Sequence, residues 1–446
     1  MGHRVEPDRW RAETDRLLAL VAARFGRIET RRRAARFLVG LLAGLPRKNC
    51  WSIAEHAGEV DPHGMQYLLG RASWDTDGVR DDLRDYVTTN LGDTDAVLVV
   101  DETGDLKKGT CTVGVQRQYT GTAGRIENAQ VAVYLTYAGV RGHAMIDREL
   151  YLPKSWTGDP DRCAEAGVPA DIEFLTKPAL ATGMICRALN AGVPARWIAG
   201  DEVYGADPAL RDELEIRRVG YVLAIGCDRR VPTAFGLIRA DTLTASLPKR
   251  AWQRLSAGAG AKGERYYHWA LVALVPAADS VLDPAGDDRK DADTQCRWLL
   301  VRRHRRTGEL AFYRCYSPEP VPLRELVRVA GRRWTVEESF QAGKGLAGLD
   351  EHQVRRWTSW RRWTVFAMLA HALLAVIAAN EHSARPASAG LIALTCIEIR
   401  RLLTLLIIEP SRVTACPHAW STWRRRHQYR ARTSHYHRQE AALGWP

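Results

Sequence analysis

The change of pattern near Asp93 constrains the fold of this chain more than any other feature. Before it, apolar residues recur at helical spacing, whereas after it short runs rich in valine and other strand-forming residues appear. These runs come first one after another and then in alternation with helices, which is typical of a mixed sheet. We therefore predict an α/β fold. The predicted strands are Ala96–Val100, Gln130–Tyr137, Ala144–Leu152, Trp197–Ala199 and Gly220–Ile225, and the predicted helices are Leu175–Leu189 and Asp207–Arg217.

The segment before this change, residues 1–90, is predicted to form a helical N-terminal domain. Ser52 with Glu55 fits a capping box, Gly58 can end that short helix, and Asp61-Pro62 can begin the next one. A short helix, a tight turn and a second helix indicate either a DNA-binding helix-turn-helix or an ordinary helical hairpin. The sequence leaves both interpretations open.

A β-rich insertion is predicted at residues 228–325, where the alternation of helix and strand stops. An acidic loop containing proline and glycine, Pro276–Asp293, interrupts it, and two long helices are predicted after it. The predicted strands of the insertion are Tyr266–Val275, Cys296–Arg302 and Leu310–Tyr316, and the helices that follow are Leu323–Lys344 and Ser359–Ala379.

Three glycines inside this insertion, Gly258, Gly260 and Gly263, match the pattern G-x-G-x-x-G. A dinucleotide site requires a strand before this pattern and a helix after it, and a strand follows here instead. We therefore predict a hairpin loop.

The charge of the chain favours a polyanionic partner. Its 446 residues contain 64 Lys and Arg against 52 Asp and Glu, which gives a net charge of +12. Half of that excess lies in residues 411–446, a predicted basic C-terminal tail with seven arginines and one glutamate. Its aromatic residues could stack on unpaired bases if exposed, although a disordered tail fits as well; they include Trp420, Trp423, Tyr429 and Tyr436.

A cytoplasmic, bacterial and nucleoid-associated location is expected. Residues 1–10 are charged and lack an apolar signal core. The longest apolar stretch, Thr364–Ala379, is shorter than the roughly 20 residues of a membrane helix and is predicted to be a buried helix. The cysteines are scattered without a Cys-x-x-Cys pair, which is typical of reduced thiols and argues against a zinc ribbon.

Three acids stand out by position, since Asp101 and Asp201 end predicted strands and Glu337 lies on a helix after the insertion. Converging carboxylates repel one another unless a cation neutralises them, and hard oxygen ligands suit Mg²⁺. Each acid also has a simpler interpretation: Asp101 as a turn residue, Asp201 as a cap of the helix near Asp207, and Glu337 as a surface charge. Each also has an acidic neighbour, namely Glu102, Glu202 and Glu338.

Strand alternation should send Asp101 and Glu102 to opposite faces, so that only one of them can join a site. The helix gives a second geometric argument, because Arg333, Glu337 and Lys344 are spaced by four and seven residues. At about 100° per residue, all three lie on one helix face. The face could hold a metal ligand beside phosphate-binding cations, or only a modest surface ion pair.

Three motifs resemble those of IS701-type insertion-sequence transposases, which belong to the wider IS4-like group of DDE transposases. The first runs from Val100-Asp-Glu-Thr-Gly104 through Lys107-Lys-Gly109 and Val113-Gly-Val-Gln-Arg-Gln-Tyr119 to Glu127-Asn-Ala-Gln-Val-Ala-Val133. The second is Gly200-Asp-Glu-Val-Tyr-Gly205. The third is Arg333-Trp-Thr-Val-Glu-Glu338 with Lys344, Gly348-Leu-Asp350 and Trp360, so that the resemblance covers roughly residues 90–380.

The resemblance implies an RNase H-like catalytic core interrupted by a β insertion. It also implies that Asp101, Asp201 and Glu337 hold two Mg²⁺ ions, which Mn²⁺ could replace, and that Arg333 and Lys344 contact phosphates. The predicted domains are therefore the helical domain 1–90, the core 91–227 with 326–410, the insertion 228–325, and the tail 411–446, in which Arg424, Arg425 and Arg426 would bind DNA.

The sequence departs from the family pattern at several places. Ala330 stands where IS4-like proteins often have a tyrosine, and Gly200 and Glu202 differ from the common second motif. The insertion in such proteins often supplies an aromatic residue that stacks on a flipped base. The candidates here are Trp252, Trp269 and Trp298, although each could equally be packed in the sheet.

The function implied is a DDE transposase that cuts double-stranded DNA at the terminal inverted repeats of a transposon and joins the ends to target DNA. Such an enzyme is expected to act as a homodimer on two DNA ends and to have no membrane partner. Two alternatives remain at this stage. One is a transposase-derived DNA-binding regulator without catalysis, and the other is a nuclease that never joins strands.

Overall fold

The computed structural model describes residues 5–260, 263–275, 296–384, 392–410 and 417–442. It divides into two compact units, one formed by Met1–Val79 with Ala342–Pro446 and the other by Arg80–Gln341. The helices are α1 Pro7–Val21, α2 Ile28–Leu42, α3 Cys50–His56, α4 His63–Gly70, α5 Thr76–Leu91, α6 Lys154–Thr157, α7 Pro160–Ala166, α8 Lys177–Asn190, α9 Glu202–Gly205, α10 Pro208–Ile216, α11 Ala240–Ala245, α12 Leu323–Arg332, α13 Trp334–Ala347, α14 Trp357–Ala384, α15 Cys396–Leu403 and α16 Pro417–Ala442.

The strands belong to the unit Arg80–Gln341. Among the described residues all but two of them form one sheet, in which β4 pairs with β3 and the remaining order is β2-β3-β1-β5-β6-β12-β11-β10-β9. The strands are β1 Val97–Leu106, β2 Gln116–Thr120, β3 Arg125–Gly139, β4 Gly142–Leu150, β5 Trp197–Gly200, β6 Gly220–Ile225, β7 Arg230–Thr233, β8 Gly236–Arg239, β9 Gln253–Gly260, β10 Gly263–Ala273, β11 Arg297–Arg303 and β12 Leu310–Tyr316.

The order β4-β3-β1-β5-β6 is that of an RNase H-like core. Strands β1, β3 and β4 form an antiparallel meander, and β5 and β6 then continue the sheet parallel to β1. Parallel neighbours need helical crossovers, which α8 and α10 provide between them. The predicted α/β class and RNase H-like core are confirmed by this topology.

The inner strand β1 explains why the core forms there. Val97, Leu98, Val99 and Val100 are fully buried, and both neighbours of the strand supply further apolar side chains. A continuous apolar run is typical of a strand that is covered on both faces. Helix α8 packs against β3 and β4, and helix α12 packs against the β1, β5 and β6 part of the sheet.

The predicted insertion extends the same sheet. Strand β12 pairs antiparallel with β6, and β11, β10 and β9 follow outward from it. The three predicted strands of the insertion correspond to β10, β11 and β12, whereas β7, β8, β9 and α11 carry no pattern that we recognised in the sequence. The acidic segment Pro276–Asp293 lies outside the described residues.

The glycine pattern in this region belongs to a hairpin, as predicted. Gly260 on β9 pairs with Gly263 on β10, and Gly258 lies within β9. Gly258 and Gly263 have φ angles of 91° and 105°, a region that favours glycine. The glycines therefore serve backbone geometry.

The single long helix predicted at Leu323–Lys344 is two helices. Helix α12 ends at Arg332 and α13 begins at Trp334, with Arg333 between them. The Thr335 hydroxyl donates to the Arg332 carbonyl at the break. A side chain that satisfies a terminal carbonyl stabilises a helix end, and this local hydrogen bond was not visible in the apolar periodicity.

The other unit is built around α14. Nearly all of this helix is buried, and it packs against α1, α2, α4 and α15. It is long and apolar enough to cross a bilayer by length and composition, and 94% of its most apolar 18-residue window is buried inside the protein. The buried helix predicted at Thr364–Ala379 is therefore present.

Residues 342–410, which we predicted as part of the catalytic core, are grouped with the N-terminal helices in this unit. The physical reason is that α14 is apolar on all sides and needs neighbours around its circumference. Polar contacts also hold this helix: Glu381 on α14 accepts a hydrogen bond from Trp10 on α1 at 2.8 Å, and Arg362 on α14 donates to the Ala72 carbonyl after α4 at 2.6 Å. The finer four-part division of the chain stays a prediction.

The short helices α3 and α4 lie where the helix-turn-helix or hairpin was predicted. The capping box is present but shifted, because Asn49 is the N-cap and Ser52 is the third helical residue rather than the cap. Gly58 adopts a φ of 75° and follows the end of α3, as predicted. An asparagine caps as well as a serine, so the motif alone did not distinguish the two registers.

The basic tail is largely helical, and part of its aromatic content is packed. Trp420 is buried and donates its Nε1 proton to the Glu59 carbonyl at 2.7 Å. Trp423 stacks on His427 and meets the edge of Trp51 on α3. Trp420 is therefore a packing residue rather than a base-stacking one, whereas Tyr429 is exposed.

Candidate functional site

The first two predicted acids lie at one edge of the sheet. Strands β1 and β5 are parallel neighbours, with Leu98 opposite Ile198 and Val99 opposite Ala199. Continuing this register places Asp101 on β1 level with Asp201, which directly follows β5. Asp101 does not end its strand as predicted, because β1 continues to Leu106. It lies inside β1 at the level where β5 ends, so the parallel register of the two strands brings the two aspartates together.

Asp101 is a buried carboxyl group with few stabilising partners. Its Oδ1 accepts the Glu102 amide proton at 2.8 Å, and its Oδ2 lies 3.3 Å from Arg333 Nη1. Burial, followed by the negative charge of Asp201, raises the pKa of Asp101 to about 8 against the opposing effect of Arg333. The site therefore disfavours a second negative charge unless a cation is present.

Asp201 is held by the helix that follows it. It is the N-cap of α9, and its Oδ1 accepts the Val203 amide proton at 2.8 Å. Burial, and next the charge of Glu102, raises the pKa of Asp201. The simpler interpretation of Asp201 as a cap for the helix near Asp207 is wrong, because Asp207 itself caps α10.

Gly205 allows α9 to lie directly against β6. A Cβ atom at this position would be 1.9 Å from the Ala224 carbonyl oxygen. Backbone atoms cannot move aside as a flexible side chain can, so the one-turn helix requires glycine here. The sequence motif that ends in Gly205 thus has a steric basis, which fixes the helix capped by Asp201.

We expect Gly205→Ala to destabilise the protein by about 1–3 kcal/mol, as overpacking does, and to displace Asp201. The matched control is Gly183→Ala, since nothing lies within 4 Å of a Cβ at Gly183 on α8. That change should be stabilising, by up to about 1 kcal/mol. Urea unfolding of both variants measures the difference, and equal stabilities would contradict the steric account.

Glu102 joins the acidic cluster, contrary to the prediction that alternation admits only one of Asp101 and Glu102. Its carboxylate accepts the Lys177 ammonium at 2.7 Å and the Tyr204 hydroxyl at 2.6 Å. Its charge also contributes to the raised pKa values of both aspartates. A long side chain can reach around the strand edge, which period-two alternation ignores.

Tyr204 and Lys177 are functional residues that sequence reasoning missed. Burial and the neighbouring carboxylate of Glu102 raise the pKa of Tyr204, so its hydroxyl keeps the proton that it donates. This hydrogen bond ties α9 to β1 and so fixes Asp201 relative to Asp101. The signal was available in part, since Tyr204 lies three residues after Asp201 in the second motif.

Arg333 and Glu337 approach the pair from the helical side. Arg333 contacts Asp101, and Glu337 lies four residues further along the chain, in the first turn of α13. The side chain of Glu337 is exposed and makes no hydrogen bond or ion pair with any described residue. In the described part of the chain no three His, Cys, Asp or Glu residues converge closely enough to hold a metal ion.

The neighbouring acid on α13 has a different environment. Glu338 lies 3.3 Å from His143 Nε2, and this histidine, more than any other group, lowers the pKa of Glu338. Glu338 is therefore engaged in a structural pair, while Glu337 keeps its carboxylate available. Lys344, the other predicted phosphate contact, lies in the last turn of α13.

Two of the three candidate tryptophans in the insertion are packed inside it. Trp269 and Trp298 are buried, with Trp269 tilted against Tyr313. Trp252 is only partly buried, and the Arg303 guanidinium lies 4.1 Å from its ring centroid. Of the three, Trp252 has the most ring surface available for a base.

The three tail arginines differ in their surroundings. Arg424 donates to Glu55 on α3 at 2.8 Å, whereas Arg425 and Arg426 are exposed. Trp420, Trp423 and His427 on the packed side of α16 have helical spacing. At about 100° per residue, Arg425 lies opposite this packed side and Arg426 lies on its flank, and both are exposed to solvent.

An RNase H-like sheet with one aspartate on β1 and a second directly after the neighbouring parallel strand β5 defines a nuclease-type core. The profile of the DDE superfamily endonucleases matches residues 21–251 of this chain, which include Asp101 and Asp201. The match covers slightly more than half of the chain, and the chain belongs to this superfamily.

The predicted resemblance to IS701-type transposases is also confirmed. The chain is 28% identical over 193 residues to the probable transposase for insertion sequence element IS701 of Microchaete diplosiphon. The aligned region is 42% of this chain and 47% of that protein, so the chain spans about half the length of the curated relative. A piggyBac transposase, solved as a synaptic complex with hairpin DNA, aligns over 90% of this chain and 80% of its own, with a TM-score of 0.41 and 12% identity.

Proposed function

We propose that this protein is a DDE transposase that cleaves DNA at transposon ends and transfers the freed strand into target DNA. The observation that carries the proposal is that the parallel register of β1 and β5 places Asp101 level with Asp201, with Arg333 in contact with Asp101. An endonuclease superfamily profile and a transposase relative support it.

The donor set suits a hard divalent cation. Asp101 and Asp201 offer carboxylate oxygens at a partly buried position, and the pKa of each is raised by burial and by neighbouring acids. A cation would relieve that repulsion, and Mg²⁺, or Mn²⁺ in its place, prefers such ligands. Two bound ions would supply activation of the attacking oxygen and stabilisation of the leaving oxygen.

Glu337 would complete the ligand set from α13. It follows Arg333, which already contacts Asp101, by one helical turn of about 5.4 Å. A rotamer change of its exposed side chain is cheap, because no hydrogen bond within the described residues has to break. Arg333 would then turn from Asp101 towards a DNA phosphate, a ligand that its planar guanidinium binds in a bidentate manner.

Tyr204 and Lys177 would act as positioning residues. They hold the Glu102 carboxylate at 2.6 Å and 2.7 Å, so this acid is anchored beside the aspartates. The hydrogen bond from Tyr204 also orients the helix that Asp201 caps. In this arrangement the metal ligands stay fixed while DNA enters and leaves.

The exposed side of α16 is proposed to contact the DNA backbone. We expect Arg425→Gln or Arg426→Gln to reduce affinity for any duplex and to lower the slope of log affinity against log salt by about 0.9, the value of one phosphate contact. Arg424→Gln is the matched control, because Arg424 is paired with Glu55. Fluorescence anisotropy over a salt series measures the slopes, and equal slopes for all three variants would refute the assignment.

The experiment that tests the function uses the full chain and DNA carrying the inverted repeats that flank its gene. Cleavage at the repeat ends with Mg²⁺ but not with EDTA is the expected result, followed by joined products when target DNA is added. Cleavage without joining would identify a nuclease, and binding without cleavage would identify a regulator. The mass of the complex with two DNA ends tests the proposed homodimer in the same samples.

A further inference from the structure

A second polar cavity lies in the unit Arg80–Gln341, outside the acidic cluster. Its volume is about 370 Å³, which falls within the range of small-ligand sites. Four arginines line it, together with one aspartate, Asp228, among the described residues. These arginines are Arg211, Arg229, Arg230 and Arg314.

Three separate elements bring the arginines together. Arg211 lies on α10, and Arg314 lies on β12, where it pairs with Leu223 of β6. Arg229 and Arg230 follow the end of β6 at Ile225. Since β6 and β12 are joined only through the insertion, the cavity forms where the insertion meets the core sheet.

Arg211 and Arg314 lie close together, and neither side chain forms an ion pair with a described residue. Arg211 donates to the carbonyls of Gly205 and Asp207 at 2.6 Å and 3.0 Å. Burial, followed by the charge of Arg314, lowers the pKa of Arg211. The side chain of Arg314 is partly buried and makes no hydrogen bond or ion pair with any described residue.

Nearby acids do not neutralise this group. Glu215, which lies on the same helix as Arg211, is engaged by Arg297 at 2.7 Å and by the Tyr221 hydroxyl at 2.6 Å. Asp228 is exposed at the opening. Like charges gathered in a partly desolvated cavity are unfavourable unless an anion binds between them, and guanidinium groups match phosphate oxygens in geometry.

We infer that this cavity is a second phosphate site, which holds a backbone phosphate of the DNA that the acidic cluster cuts. The inference rests on the proposed function. Gly205 lines the cavity and ends the one-turn helix that Asp201 caps, so this wall of the cavity lies about one helical turn, roughly 5.4 Å, from Asp201. Successive phosphates of one strand advance by about 3.4 Å, so a neighbouring phosphate is within reach.

Exposure of Arg229 and Arg230 favours DNA over a small phosphorylated ligand. They extend the positive charge from the interior to the surface. A small ligand needs enclosure on most sides, whereas a continuous strand must enter the cavity from solvent and leave it again. The two exposed arginines at the opening of the cavity therefore favour a DNA strand as its ligand.

The test compares Arg314→Gln with Arg218→Gln in the full chain, in EDTA, with a short labelled duplex. Arg218 is exposed at the opposite end of β6, just before Gly220. We expect Arg314→Gln to lower the slope of log affinity against log salt by about 0.9 relative to Arg218→Gln. Arg314→Lys should keep the slope, which separates a lost charge from misfolding.

Two results would overturn the inference. Equal slopes of log affinity against log salt for Arg314→Gln and Arg218→Gln would show that the cavity does not bind DNA. If the slopes are equal and inorganic phosphate raises the melting temperature of the wild type but not of Arg314→Gln, the cavity binds a free phosphate ligand instead of DNA. Neither measurement requires cleavage. If Arg314→Gln lowers the slope but the wild type does not cut DNA, the proposed function is wrong while the inferred phosphate site is supported.

Discussion

Asp101→Asn and Asp201→Asn should each lower Mg²⁺-dependent cleavage of transposon-end DNA by more than about 100-fold, with DNA affinity retained. Loss of groups that only support metal ligands typically costs 10–100-fold, so loss of a ligand itself should exceed that range. Asparagine keeps the size and one oxygen of each side chain but removes its charge. Cleavage is measured on gels, and DNA binding by anisotropy in the same buffer.

Adjacent acids provide the controls for this experiment. Glu202→Gln changes an exposed acid next to Asp201 and should leave cleavage within a few-fold of wild type. On α13, Glu337→Gln should abolish cleavage, while Glu338→Gln should chiefly disturb the pair with His143. Full cleavage by Glu337→Gln would remove that residue from the metal site and point to Glu102 as the third acid.

The metal-free protein should gain stability when Asp101 is neutralised at pH 8. The pKa of Asp101 is about 8 in the folded protein and near 3.8 when unfolded. The folded state therefore binds more protons between these values, and its free energy of unfolding falls as pH rises from about 4 to 8. Each pKa unit corresponds to about 1.4 kcal/mol, so Asp101→Asn should remove a cost of a few kcal/mol.

Calorimetric melting at pH 5 and pH 8, with EDTA or Mg²⁺, measures this effect. Asp101→Asn should melt higher than wild type at pH 8 in EDTA and show a smaller difference at pH 5. Mg²⁺ should raise the melting temperature of the wild type at pH 8 and leave Asp101→Asn unchanged. A higher melting temperature for the wild type than for Asp101→Asn in EDTA at pH 8 would contradict this prediction. It would show that ionised Asp101 does not destabilise the folded protein.

Asp241→Asn is the matched control for the pH effect. Asp241 is half-exposed, and its hydrogen bond with Arg239 lowers its pKa to about 2. Its contribution to stability is therefore present above its unfolded pKa and lost only as pH falls towards 2. Replacing it should give no gain at pH 8, so a gain seen with Asp101→Asn alone comes from the acidic cluster.

Much of the fold could be predicted because its signals are local. The apolar run before Asp101, the short strand before Asp201 and the apolar length of α14 depend on residue type and spacing over a few residues. The neighbouring positions of Asp101 and Asp201 come from the parallel register of β1 and β5, a long-range pairing that residue patterns along the chain do not show. Strand boundaries were less accurate, and β7, β8 and β9 were missed because their short polar runs lack a clear period.

The site was predicted less completely, because which residues belong to it depends on the length of each side chain and on its contacts in the folded protein. Alternation predicted that only one of Asp101 and Glu102 could join the site, yet the longer side chain of Glu102 meets Tyr204 and Lys177 beside Asp101. Trp420 was a candidate for base stacking if exposed, but it is buried and donates to the Glu59 carbonyl, 361 residues away. Neither outcome can be computed from spacing, because each depends on what the folded chain places nearby.

The sequence by itself determined the class of fold, the presence of the core strands around Asp101 and Asp201, and the long buried helix, because each rests on short-range patterns of residue type. Only the tertiary structure decided that Arg333 reaches Asp101 across 232 residues and that four arginines meet in one cavity. The physical reason is that the contacts and the electrostatic environment of a side chain depend on the residues close to it in space, and only the folded structure determines which residues these are.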